Sequence, residues 1–289
     1  MSTNPTQTLL RQLGLSPTDR VLIVHADDVG MCQATLTAYE RLLEVGLMTT
    51  ASVMVPCPWF PAVADFCRKH PEVDMGVHLT LNCEWNHYRW RPLTTTDPAS
   101  GLLDDEGYFP RQQQAIWGHA SWETVRLECE AQVSKARSAG IDITHLDDHM
   151  LVLAHPKLLS SYLEWALAQG LPPRVAYLDH PPQNAWEQAQ QTAVDQTESA
   201  GMPVVHGFGL PLDQPLGQTE MFRHILGELP AGFSLLVTHP AVDTPELRAI
   251  APDWASRVAN YETLMDQMLL NEVRRLGIHL MGFRPFRTS

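Results

Sequence analysis

Short apolar runs alternate with helix-period segments along most of the chain, and that alternation restricts the fold more than any other feature. Val21–Ala26 is a nearly continuous apolar run and reads as a buried strand. Gln33–Glu44 follows with Leu36, Tyr39, Leu42 and Leu43 at helical spacing. Further strands are predicted at Ala51–Val55, Val73–Leu79, Ile141–Leu146, Val175–Leu178, Val204–Val205, Leu235–Thr238 and His279–Phe283. Helical patterns fall at Pro61–Arg68, Trp122–Ala139, Pro156–Ala168, Ala185–Ser199, Glu220–Leu229 and Tyr261–Leu276, with Gly140 as a stop and Pro156 in a first turn. A strand–helix unit repeated about seven or eight times indicates an α/β fold with a mostly parallel sheet, either doubly wound or closed as a TIM-like (β/α) barrel. Count and length favour the barrel. No repeat, low-complexity tract or linker marks a second unit, so residues 1–289 read as one domain.

One stretch breaks the rhythm. Thr80–Arg111 is long and irregular but rich in aromatics, among them Trp85, Trp90 and Tyr108. Such loops are usually functional, and the aromatic content argues against disorder. Rings beside a polar pocket can stack on sugars, which nominates these three as substrate-binding residues; a loop tied down by its own aromatics is an equally good reading.

The formal net charge of −13 argues against nucleic acid or an anionic membrane surface as a partner. Five cysteines, an odd number without a C-x-x-C spacing, fit reduced thiols and a cytoplasmic location. Cys32 follows an Asp pair closely but reads more simply as a small buried residue. The polar N-terminus does not resemble a signal peptide, and no apolar run reaches the roughly 20 residues a spanning helix needs. A homodimer is compatible with the composition, but no face is identified for it.

Four motifs stand where strands should end: His25-Ala26-Asp27-Asp28, Gly76-Val77-His78, His145-Leu146-Asp147-Asp148-His149 and Thr238-His239-Pro240. In a barrel the chemistry gathers at the C-terminal ends of the strands. Carboxylate and imidazole together can hold a divalent cation, and the groups left over can move protons, as a metal-dependent hydrolytic site requires. Neighbouring strand residues point in different directions, so one carboxylate of Asp27-Asp28 can bind metal while the other stays free as a base; a turn or N-cap pair is the plainer reading. His78, taken alone, would pass for a core histidine. His149 lies past its strand and is a better ligand than His145, with Asp147 placed to orient an imidazole. His239 at the mouth could protonate a leaving group. Arg257 and Glu262 read as a structural ion pair, or as groups steering His239 or Asp27.

These motifs resemble the YdjC-like carbohydrate deacetylases. The resemblance rests on Ala26-Asp27-Asp28-Val29-Gly30, Gly76-Val77-His78-Leu79-Thr80-Leu81, Leu102 to Phe109, Thr144-His145-Leu146-Asp147-Asp148-His149-Met150-Leu151 and His239-Pro240, in family order from Val21 to Phe283. It implies a distorted (β/α) barrel that removes an acetyl group from an N-acetylated sugar. It further implies Asp28, His78 and His149 as metal ligands, Asp27 as base and His239 as acid. Arg257 joins the expected substrate contacts, and His145, Asp147 and Asp148 the shell behind the ligands. The chain departs from the family pattern at Val29 for Phe, at Asp148 for Ser, and at Met150-Leu151 for two His.

The expectation is therefore an enzyme with one divalent ion (Zn, Mg, Mn, Co or Ni) acting on a small N-acetylated sugar or oligosaccharide. An esterase or phosphoester hydrolase would use nearly the same residues. An iron oxygenase with a two-His-one-carboxylate site would need Fe(II), O₂ and a cosubstrate, for which the sequence supplies no second reason, and a non-catalytic binding barrel would not need Asp27 and His239 together.

Overall fold

The structure is a computed structural model that describes residues 4–287. Seven parallel strands carry it: β1 (Arg20–Val29), β2 (Thr50–Val53), β3 (Met75–Leu79), β4 (Ile143–Asp148), β5 (His206–Gly209), β6 (Gly232–Thr238) and β7 (His279–Leu280). The regular ladder runs β4-β3-β2-β1-β6-β5, and β7 pairs with the first half of β1 at Val21 and Leu22. The expected strand at Val175–Leu178 is not a regular one. Residues around it make single bridges, Leu146 to Pro173 on the β4 side and Ala176 to Val205 on the β5 side. Proline lacks the amide a ladder needs, and Pro172 and Pro173 stand at the start of this stretch. The barrel is accordingly distorted, with two bridges where a ladder would run.

Helices cover the outside: α1 (Pro5–Gln12), α2 (Gln33–Val45), α3 (Phe60–Lys69), α4 (Gln113–His119), α5 (Trp122–Ser138), α6 (Leu159–Ala168), α7 (Ala185–Ser199), α8 (Gln218–Glu228), α9 (Pro245–Ile250), α10 (Trp254–Leu264) and α11 (Gln267–Arg275). The sequence pattern reads α10 and α11 as one helix from Tyr261. The break comes at Asp266, whose side chain accepts from the Met268 amide and starts a new helix.

Strand parity sorts the side chains. Along β1, Leu22, Val24 and Ala26 face the main core under the helices, whereas Val21 and Ile23 face the barrel interior. The interior floor is closed by Leu9 and Leu10 of α1 with Phe233, Phe283 and Phe286. His25 and Asp27 continue the inward row above Val21 and Ile23. In the same way β3 turns Gly76 and His78 inward, and β4 turns His145 and Asp147. A period of two thus delivers the polar residues to one cavity. None of the described helices is long and apolar enough to cross a membrane.

Candidate active site

Asp27 and Asp28 are adjacent, so parity alone would send Asp28 to the helix side. A register irregularity between Ala26 and Val29 and a φ of 62° at Asp28 bring it back to the cavity. A side chain held in the left-handed region is strained, and such strain collects at functional positions.

Asp28 Oδ1 lies 3.2 Å from His78 Nε2 and 3.1 Å from His149 Nδ1, and those two nitrogens are 3.2 Å apart. The other end of each ring is occupied. His78 Nδ1 donates to Asp147 Oδ1, with Ser52 Oγ also 3.1 Å away. His149 Nε2 donates to Glu84 Oε2 at 3.1 Å. Each ring therefore turns a lone pair inward, and three acceptors face one another with no hydrogen to share. That donor set fits a divalent cation. Tetrahedral N/O sites bind at about 2.0–2.2 Å and keep their ligand atoms about 3.3 Å apart. Without a metal, protons take its place. Burial works to lower the pKa of His149, but Glu84 and Asp28 outweigh it and push it up to about 9. For His78, burial is likewise outweighed by Asp147, and the ring stays protonated well above the ordinary imidazole range.

Asp27 stands apart from this triangle. Arg174 Nη1 lies 3.1 and 3.0 Å from its two oxygens, and also 3.1 Å from Asp147 Oδ2. His25 Nδ1 is 2.6 Å from Asp27 Oδ1. Burial would raise the Asp27 pKa, yet Arg174 and His25 more than offset it and hold the carboxyl well below its usual range. His239 Nε2 faces Asp27 Oδ2 at 3.7 Å, while its amide donates to Asn260 Oδ1 at 2.8 Å. Burial keeps the His239 imidazole below its ordinary pKa.

The expected residues are distributed unevenly. Asp27, Asp28, His78, His149 and His239 line one cleft of about 770 Å³. Trp85 joins them, with the Arg257 guanidinium 5.8 Å from its ring centre. Trp90 is buried behind His149, its indole donating to the Asn82 carbonyl at 2.9 Å, so it supports the site rather than facing the cleft. Tyr108 does not line the cleft; the Arg89 and Arg91 guanidinia flank its ring at 5.1 and 4.6 Å. Arg257 does not pair with Glu262. It binds Asp28 Oδ2 at 2.7 Å and Asp253 at 2.9 Å, because the start of α10 aims it into the cavity. His145 lies deeper, against His25, and not behind His149. Asp147 orients His78 as expected. Asp148 borders the cleft but is engaged by backbone: its Oδ2 accepts the Leu153 and Ala154 amides at 2.6 and 3.1 Å, and burial raises its pKa to about 7. The five cysteines are buried and unpaired, and Cys32 is not in the cleft lining.

Arg174, Glu84 and His25 are missing from the expected set. His25 was signalled by parity, two residues before Asp27. Arg174 is a lone cation entering a strand-like run, and Glu84 a lone acid in an aromatic loop; neither carries a local mark of its role.

A family profile described as YdjC-like protein matches residues 21–275. The chain belongs to the YdjC-like family. A carbohydrate deacetylase of Thermus thermophilus is 38% identical over 97% of this chain and 98% of its own length. A second, from Thermoanaerobacter pseudethanolicus, is 27% identical over 91% of this chain and 98% of its own. Among solved structures, a proposed cellobiose-phosphate cleavage protein of Enterococcus faecalis V583 aligns with a TM-score of 0.76 at 20% identity, covering 94% of this chain and 100% of that one. The Bc1960 peptidoglycan N-acetylglucosamine deacetylase aligns at 0.51 and 10% identity, over 95% and 91%. These two speak for the fold. The YdjC-like match spans β1 to α11 and so includes every residue of the cleft named above.

Proposed function

We propose that this chain is a metal-dependent carbohydrate deacetylase, hydrolysing the amide of a small N-acetylated sugar to the free amine and acetate. The observation that carries this reading is the pairing of two sets of groups on one cleft: three ligand-type atoms around Asp28, and a separate carboxylate facing an imidazole at Asp27 and His239. The deacetylase names of the full-length relatives support it.

Asp28, His78 and His149 would hold the divalent ion, which when bound supplies Lewis-acid polarisation and an acidified water. The donor set suits Zn, Mn, Co or Ni better than Mg, which prefers more oxygen ligands. Asp27 stays ionised between Arg174 and His25 and takes a proton from the attacking water. The water oxygen bonds to the carbonyl carbon, His239, neutral at rest, receives the proton that Asp27 has taken, and the carbon–nitrogen bond breaks as His239 passes that proton to the amine nitrogen. Arg257 fixes Asp28 from behind. Trp85 offers an apolar face beside the metal ligands on which a sugar ring can rest.

The test is acetate release from N-acetylated mono- and disaccharides by metal-free protein reloaded with Zn, Mn, Co, Ni or Mg in turn. Release should need the metal and should fall at least about 10²-fold in Asp27→Asn and in His239→Ala. Full occupancy by metal without acetate from any amide, together with turnover of acetyl esters or phosphoesters, would overturn the reading.

A further inference from the structure

Beneath the reacting groups the barrel interior holds polar side chains of which the proposed reaction uses only His25, beside Asp27. His25, Asp74, Thr144 and His145 are all buried. They form a hydrogen-bonded chain from Asp74 to His25, whose far nitrogen lies against Asp27 without the angle of a hydrogen bond. His25 Nδ1 is 2.6 Å from Asp27 Oδ1, His25 Nε2 is 2.8 Å from His145 Nε2, and His145 Nδ1 is 2.9 Å from Thr144 Oγ1. Thr144 then donates to Asp74 Oδ1 at 2.6 Å. The His145 ring is held on both sides. Phe283 stacks on it at 4.3 Å, and the backbone of Gly76 lies so close that a Cβ there would come within 2.5 Å of the ring.

Counting donors fixes the protons. Asp74 receives the Thr50 and Thr144 hydroxyls at 2.7 and 2.6 Å and the Arg284 amide at 2.6 Å, so it acts as an acceptor-only carboxylate. Thr144 gives its single proton to Asp74, and its oxygen therefore accepts from His145 Nδ1. Burial keeps His145 well below the ordinary imidazole range, so the ring is neutral and its Nε2 is a lone pair. Across the 2.8 Å contact His25 Nε2 is then the donor. At its other end His25 faces the ionised Asp27, and that nitrogen carries hydrogen too. Asp147 Oδ2, 3.7 Å from His25 Nε2, adds a second negative charge. A neutral His25 would set two lone pairs against each other in the dry interior, a costly arrangement.

We propose that His25 is a buried imidazolium, set by the chain from Asp74 through Thr144 and His145, and that its charge against Oδ1 positions Asp27 with Oδ2 facing His239 in the cleft. Its kinetic consequence rests on Asp27 being the base; the proton positions do not.

The experiment is nitrogen-15 NMR of labelled histidines in the wild-type protein, metal-free and metal-loaded, without substrate. His25 should show both ring nitrogens protonated and His145 the Nδ1–H tautomer. A neutral His25, or His145 protonated at Nε2, overturns the assignment. Kinetics then test the positioning. Thr144→Val removes the hydroxyl, and Thr144→Ser keeps it. Thr144→Val should lower kcat about tenfold with KM and bound metal unchanged, and Thr144→Ser should restore it. Equal losses in both variants, or no loss in Thr144→Val, overturn the positioning role. The NMR result needs no substrate, so it stands or falls separately from the deacetylase reading, and it decides the matter if Thr144→Val does not fold.

Discussion

Arg257 claims one oxygen of Asp28 and leaves the other to the imidazoles: its Nη1 is 2.7 Å from Oδ2, while Oδ1 looks at His78 and His149. The guanidinium thus selects which lone pairs the carboxylate presents. Arg257→Met should lower metal affinity about 10–100-fold. It should also destabilise the metal-free protein by about 3–5 kcal/mol, since a buried carboxylate loses its partner. Metal titration and urea unfolding measure the two effects, and wild-type affinity in the variant would refute the role.

Metal and protons compete for the same lone pairs. In the metal-free protein His149 holds its proton up to about pH 9. Below that value bound metal displaces protons from His149 and from His78, whose pKa is raised as well, so apparent affinity should climb with pH through that range. Calorimetry in buffers of different ionisation enthalpy would count the protons released. A flat affinity between pH 6 and about 9 would contradict it.

Asp148 titrates near neutrality, its folded pKa raised by burial from 3.8 to about 7. The native state therefore keeps a proton that the unfolded chain releases, and this group's contribution to stability is lost as pH rises from about 4 to about 7. Asp148→Asn retains an oxygen for the Leu153 and Ala154 amides without the charge. The metal-free variant should gain up to about 4 kcal/mol over wild type above pH 7 and nothing near pH 4. Urea unfolding at both ends of the range decides it, and equal stability at pH 8 would count against the shift.

Gly76 makes room for the His145 ring, and Gly76→Ala would drive a methyl into it. Phe283 blocks retreat on the far side. The expected cost is about 1–3 kcal/mol. A thermal melt indistinguishable from wild type would mean that the ring has space the structure does not give it.

Much of this was legible in the sequence because a period of two is a strong rule. His78, Asp147 and His239 follow from reading which face of each strand turns inward, and His25 obeys the same rule two residues before Asp27. What parity cannot supply is contact across the barrel. Arg174 and Glu84 acquire their roles from Asp27, Asp147 and His149, partners far away in sequence that only the closed sheet brings near. Asp28 reaches the cavity against parity, through a local irregularity. Both readings of the aromatic loop hold in part. Trp85 faces the cleft, but Trp90 packs behind it and Tyr108 is engaged by arginines elsewhere.

Arg174 stands in a part of the wall that lacks a ladder. Its amide donates to the Leu146 carbonyl at 2.9 Å, and the bridge from Ala176 to Val205 is the next tie along. Asp28 and His78 lie on strands of the regular ladder away from that seam, and His149 follows β4, which its ladder to β3 holds when the seam parts. Local opening at the seam withdraws the guanidinium from Asp27 and Asp147 while the ligand triangle stays assembled. Mild denaturant should therefore silence turnover at a concentration where the metal is still bound, making the protein fail as a catalyst before it fails as a metal-binding protein.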